Sequence, residues 1–217
     1  MAAESEARLR TDARRNRDQI IAAAKVAFTE FGPDVPMEEI ARRAGVGVGT
    51  LYRRFPDREA LIRAVARDNF GAVVADARAV LAEEHSAWQA LVRLLGRSRS
   101  LRLTIQLAVL SEGARAAVKD DPITQRYRDE LMAMLEEIVR RAQREGSLRA
   151  DVGAGDVAVL VSLLLRRVPV DSEVLAESML DRALVLILDG LRADPGSPLP
   201  GRPVTTRDLT DQATRSP

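Results

Sequence analysis

Residues 37–55 read MEEIARRAGVGVGTLYRRF. Met37, Ile40, Ala41 and Ala44 recur at three- and four-residue spacing, which is one face of a short helix. Pro36 stands at its opening turn, and Glu38 and Glu39 oppose the positive end of its dipole. Gly45-Val46-Gly47 interrupts the pattern. Gly45 permits a left-handed backbone at the helix end, and Val46 supplies an apolar plug for the corner. A second short helix is predicted from Val48 to Phe55, with Leu51 and Phe55 on its inner side. Its outer side carries Thr50, Tyr52, Arg53 and Arg54. Two short helices joined by a glycine turn fit a helix-turn-helix. A second helix with that outer face suits a DNA major groove. An ordinary helical hairpin with a solvated charged face fits the same residues, so the pattern alone does not decide between them.

Charge favours the first reading. The whole chain carries 33 Lys+Arg against 32 Asp+Glu, a net of +1. Divided by segment, residues 14–67 carry +4, residues 1–13 carry −1 and residues 68–217 carry −2. The basic excess sits on and around the helix pair, where phosphate contact would need it.

Working outward, helical periodicity continues in both directions. Ile20, Ile21, Ala24, Ala27, Phe28 and Phe31 predict an amphipathic helix over 14–31, stopped by Gly32-Pro33-Asp34. Pro56-Asp57 ends the second short helix, and Asp57 can cap a long helix over 58–83. Further helices are expected around 88–96, 103–114, 122–146, 151–167 and 172–191, about nine in all. Asp121-Pro122 is a strong helix start. No convincing alternating strand occurs, so the fold class is all-α. The expected organisation is a disordered N-terminus over 1–10, a helix-turn-helix domain over 11–57, a helical domain over 58–192 and a disordered tail over 193–217, rich in Pro, Gly, Thr and Ser.

Composition excludes several function classes. There is no Cys and a single His, His85. Thiolate metal sites, iron–sulfur clusters, cysteine nucleophiles and two-His metal sites are therefore out, and no metal or cofactor is expected. Gly45-Val46-Gly47-Val48-Gly49 lacks the Lys of a phosphate loop, and no strand precedes it. Aromatic residues make up 3%, too few for a stacking platform on single-stranded nucleic acid. The apolar runs 157–165 and 183–188 fall short of the roughly 20 residues that a membrane span needs. The polar stretch 1–15 has no signal-peptide core, so a cytoplasmic location is expected.

The stretch from roughly 14 to 65 resembles the TetR family of transcriptional regulators. The resemblance rests on Ile20, Ala24, Phe28 and Phe31-Gly32; on Ile40-Ala41, Ala44-Gly45-Val46 and Gly49-Thr50-Leu51-Tyr52; and on Phe55, Arg58-Glu59 and Leu61. The C-terminal helices are similar in number and length to the branch with an SbtR-like C-terminal domain. The resemblance implies double-stranded operator DNA, a homodimer and a small-molecule effector as partners. Thr50 and Tyr52 match positions that contact operator phosphates. Arg58 stands where Lys is usual and keeps the charge. Gly47 and Pro36 replace residues that usually cap the two short helices, at a cost of about 1 kcal/mol each. Val48, Gly49 and Arg53 are the candidates for base edges. Arg14 and Arg17 are candidates for the backbone or minor groove, with Arg42 and Arg54 as further phosphate candidates.

The implied effector pocket draws its candidates from the middle helices: Phe70, Trp88, Arg102, Gln106, Tyr127, Leu131 and Met134. A pocket of this kind suits a small organic ligand. Apolar surface on more than one side of 157–165 and 180–191 makes Leu160, Leu164, Leu180, Leu184, Ile187 and Leu188 candidates for a dimer interface. A ligand-responsive repressor on a pseudo-palindrome is the expected function. An activator or ligand-independent regulator with the same DNA-binding domain is the alternative. A helical interaction module, or an enzyme without DNA binding, is the more distant one.

Overall fold

The computed structural model describes residues 2–166, 172–194 and 197–213. Among these, the chain forms eleven α-helices: α1 Ala2–Phe31, α2 Met37–Arg43, α3 Val48–Arg54, α4 Arg58–Glu83, α5 Ala87–Arg97, α6 Arg102–Leu110, α7 Glu112–Lys119, α8 Pro122–Arg144, α9 Ala154–Leu164, α10 Glu173–Gly190 and α11 Thr206–Ala213. A single 3₁₀ turn, Ser98–Leu101, joins α5 to α6. The all-α class holds.

Two helices exceed the nine expected. The apolar spacing 103–114 reads as one helix, but Ser111 breaks it. Its side chain accepts from the Ala114 N–H and opens α7 as a separate element. The other extra helix, α11, lies in the tail.

The chain divides into two compact units. The first comprises Met1–Asn69 with Gln106–Gln125, and the second Phe70–Ile105 with Arg126–Pro217. The N-terminal unit thus extends past the boundary at 57 and recruits α7 and the first turn of α8. Its core is Ile20, Ala24, Phe28, Ile40, Ala41, Leu51, Leu61 and Val65, all nearly or fully buried. The Arg67 guanidinium donates to both carboxylate oxygens of Asp121. Asp121 also accepts from the Thr124 N–H and hydroxyl, which caps α8. The Arg67 guanidinium beside it holds the Asp121 carboxyl well below the usual carboxylate range.

Of the two ends expected to be disordered, residues 2–10 fall in α1 and residues 193–194 and 197–213 are described in the tail, while 1, 195–196 and 214–217 lie outside the described residues. α1 starts at Ala2, because the stretch AAESEARLR is made largely of strong helix formers and extends the helix without needing a core. In the tail, residues 197–205 lie against the start of α9. The Gly155 N–H donates to the Val204 carbonyl. The Asp156 carboxylate accepts from the N–H groups of Gly153 and Val204. A Cβ on Gly155 would lie 2.6 Å from the carbonyl oxygens of Val204 and Thr205. The two glycines are therefore the surface that receives the tail. Arg149 holds Asp151 and the carbonyls of Gly190 and Ser197, and Asp151 also accepts from the Leu199 N–H. Composition alone does not reveal these backbone contacts.

Candidate nucleic-acid interface

The helix pair α2–α3 forms as its residues dictate. Gly45 sits at φ +67°, in the left-handed region. Pro36 and Gly47 hold the cap positions of α2 and α3 without a side-chain cap bond, as expected for their residue types. Within α3 only Leu51 is buried. Val48, Gly49, Tyr52, Arg53 and Arg54 are exposed and Thr50 is half-buried. A seven-residue helix anchored by one leucine, and by Phe55 behind it, has no independent stability. Packing on α2 holds it in place.

The arginines of this region fall into two sets. Arg42 donates twice to Glu39, and Arg43 pairs with Glu39 and Glu30. Arg43 and then Arg42 hold the Glu39 carboxyl below its ordinary value. Arg43 also lies 4.8 Å over the exposed ring of Phe31. Arg58 donates to the carbonyls of Pro33 and Val35 and so fastens the α1–α2 loop to the start of α4. Two of the DNA-contact candidates, Arg42 and Arg58, thus have protein partners close by in sequence or space, which the charge count does not show. Arg53 and Arg54 have no carboxylate partner among the described residues, and both face solvent. Arg14 and Arg17 are exposed on α1; Arg17 reaches only the adjacent Asp18, at 3.4 Å. The Tyr52 hydroxyl reaches Glu38 at 3.4 Å, a long contact that water or a phosphate can replace.

The candidates in the second half separate similarly. Phe70, Trp88 and Leu131 are buried. The Arg192 guanidinium lies 4.3 Å over the Trp88 ring. Arg102 pairs with Glu177, so its charge is already matched. Tyr127 is half-buried with its ring against Gly71, and Gln106 and Met134 are half-buried. A cleft of about 520 Å³ lies elsewhere, lined by Glu59, Arg63, Arg67, Gly113, Asp120 and Asp121 among others. None of the candidate residues lines it. His85 is exposed just past α4, and no group of acidic or His residues suited to a metal occurs among the described residues.

Of the candidate interface residues, Leu180 and Leu188 belong to the chain's own core at 8% and 9% exposed. Leu160, Leu164, Leu184 and Ile187 are half-buried. The exposed apolar side chains are their neighbours: Val159 and Leu163 on α9, and Leu175, Met179, Val185 and Leu186 on α10, with Leu186 at 70%. Periodicity marked the helices correctly but could not say which of two apolar sides the chain keeps for itself. No helix among the described residues is long and apolar enough to cross a membrane.

A helix-turn-helix with an exposed cationic second helix, carried on an all-helical chain, defines the class of a DNA-binding regulator. The tetR family of bacterial regulatory proteins matches residues 20–65, and the C-terminal domain of SbtR-like transcriptional regulators matches residues 89–193. An HTH-type transcriptional regulator of Mycobacterium bovis is 31% identical over 169 residues, which is 76% of this chain and 85% of that protein. A TetR regulator from Streptomyces coelicolor superposes with a TM-score of 0.58 at 32% identity, covering 83% of this chain and 99% of its own. A TetR regulatory protein from Mycobacterium vanbaalenii gives 0.56 at 34% identity, covering 85% and 99%. The chain belongs to the TetR family and has an SbtR-like C-terminal domain. It is a transcriptional regulator with a helix-turn-helix DNA-binding domain, and not an enzyme.

Proposed function

We propose that the chain is a cytoplasmic, ligand-responsive repressor that binds a pseudo-palindromic operator as a homodimer. Residues 11–57 read the DNA, and residues 58–192 carry the effector site and the dimer face. The observation that carries this reading is the pair of uncovered surfaces: exposed Arg53 and Arg54, without a carboxylate partner among the described residues, beside Val48, Gly49 and Thr50 on α3, and the apolar stripe on α9–α10. In this reading Arg53 reaches guanine acceptors, Val48 meets a thymine methyl, and Thr50, Tyr52 and Arg54 hold phosphates, with Arg14 and Arg17 on the flanking backbone. One helix-turn-helix binds weakly. Two, related by a two-fold axis through α9 and α10, read two half-sites about one helical turn apart.

Release then needs only an effector that binds the non-DNA state more tightly than the DNA-bound state. Footprinting on the DNA flanking its own gene tests the assignment. An inverted repeat protected at physiological salt is the expected result. Uniform protection that disappears as salt rises would reduce the protein to a non-specific polyanion binder.

A further inference from the structure

Positions 124, 128, 131, 135, 138 and 142 of α8 succeed one another at four- and three-residue spacing, a single stripe along the helix. Thr124, Leu131, Leu135, Ile138 and Ala142 on that stripe are buried. The remaining member is Arg128, which is half-buried. No carboxylate, carbonyl or hydroxyl among the described residues lies within hydrogen-bond reach of its guanidinium. A neighbouring charge acting on it is that of Asp129, its exposed neighbour in sequence. Arg149, more deeply placed in the same unit, holds a carboxylate and two carbonyls; Arg128 holds none among the described residues. Burial pushes its guanidinium below the ordinary value. Among the described residues no buried side-chain nitrogen or oxygen lacks a partner. Arg128 has no partner among them, so its nitrogens are open to water. The charge stands half-buried on the face of α8 that is otherwise given to the core.

A half-buried cation that gives up part of its hydration without gaining a partner costs the chain stability. An aliphatic residue would suit the stripe better. Costs of this kind gather at binding sites, where a ligand removes them. We propose that Arg128 is the anion-recognising residue of an effector site in the second unit, and that the effector is a small organic carboxylate. The planar fork of donors matches a carboxylate through two parallel bonds. Leu131 and the half-buried Tyr127, its near neighbours on α8, offer apolar surface to the rest of such a molecule. This inference rests on the reading of the second unit as effector-binding, and it names the chemical class.

The test uses the full chain and no DNA. Straight-chain carboxylates from acetate to palmitate, and benzoate, are each compared with the matching alcohol by thermal shift and calorimetric titration. At least one carboxylate should raise Tm by about 2 °C or more while its alcohol does not. Arg128→Met should weaken that carboxylate at least tenfold, with Arg128→Lys falling between, and should melt no lower than wild type without ligand. If no carboxylate exceeds its alcohol, or Arg128→Met binds equally well, the site is overturned. If Arg128→Met and Arg128→Gln both melt well below wild type or fail to fold, Arg128 is a structural residue and the proposal fails. A carboxylate that binds but leaves operator affinity unchanged overturns the effector role. A carboxylate site in a protein with no footprint supports this proposal and rejects only the operator reading.

Discussion

The outer face of α3 and the outer faces of α9 and α10 are both incomplete, in opposite ways. On α3 the exposed groups are two arginines, a tyrosine, a valine and a glycine backbone. On α9 and α10 they include Val159, Leu163, Val174, Leu175, Met179, Val185 and Leu186. A solvated guanidinium is content in water, so α3 is soluble alone and gains a partner only where phosphates and base edges offer better bonds. Large aliphatic side chains in a row are not content in water. Each surface thus specifies the chemistry of what covers it: a polyanion in the first case, an apolar face in the second. A self-complementary apolar face on a two-fold axis is the simplest solution to the second.

Substitutions that convert one kind of surface into the other bear directly on this contrast. The largest effect is expected from Val185→Glu combined with Leu186→Glu, which places charge in the apolar row. The variant should sediment as a monomer and lose operator affinity on the order of 100-fold or more, since two half-sites then bind independently. A wild-type protein that is itself monomeric in analytical ultracentrifugation would break the comparison.

Next comes the joint within the first unit. Asp121→Ala leaves Arg67 without its partner and α8 without its cap. The expected loss is about 2 kcal/mol in denaturant unfolding, moderated because Arg67 is partly solvated. The folded carboxyl lies below its unfolded value near ~3.9. Its stabilisation is therefore complete above that pH and is lost as pH falls through the lower folded value. Wild type and Asp121→Ala should accordingly converge in stability in strong acid. Curves that stay parallel down to strong acid would show that Asp121 does not act through its charge.

Smaller effects are expected on α3. Arg53→Ala should cost roughly 1–3 kcal/mol on the specific site and relax sequence preference at one base position. Arg54→Ala should weaken specific and random DNA alike and lower the salt slope by about 1. Identical behaviour of the two variants would erase the distinction between base reading and phosphate contact. Smallest is Arg42→Ala, on the same face of the fold but paired with Glu39. It should change stability and operator affinity by about 0.5 kcal/mol or less. A loss comparable with that of Arg53→Ala would mean that the Arg42–Glu39 pair opens onto DNA.

The helix-turn-helix was legible because its determinants are local. Gly45 at the turn, Ile40-Ala41 on the inner face, and Leu51 and Phe55 four apart act over a few residues, and their spacing survives into the folded chain. The long helices were legible for the same reason, with α4 and α8 bounded by Asp57 and by Asp121-Pro122. The break at Ser111 was hidden because apolar spacing continues across it, and a cap is one hydrogen bond that periodicity does not register. Arg128 was not legible because one cation in an apolar stripe looks, in sequence, like any other surface arginine.

The sequence by itself determined the all-helical class, the helix-turn-helix and the concentration of positive charge on it. These follow from side-chain order along a helix, which is a property of neighbours. Only the tertiary structure decided which arginines are already engaged, which side of α9 and α10 the chain buries, and that the tail lies on Gly153 and Gly155. Those outcomes depend on partners far away in the chain, such as Asp121 for Arg67, Glu177 for Arg102 and Val204 for Gly155. A long-range contact leaves no period in the sequence, because folding, not spacing, brings its two halves together.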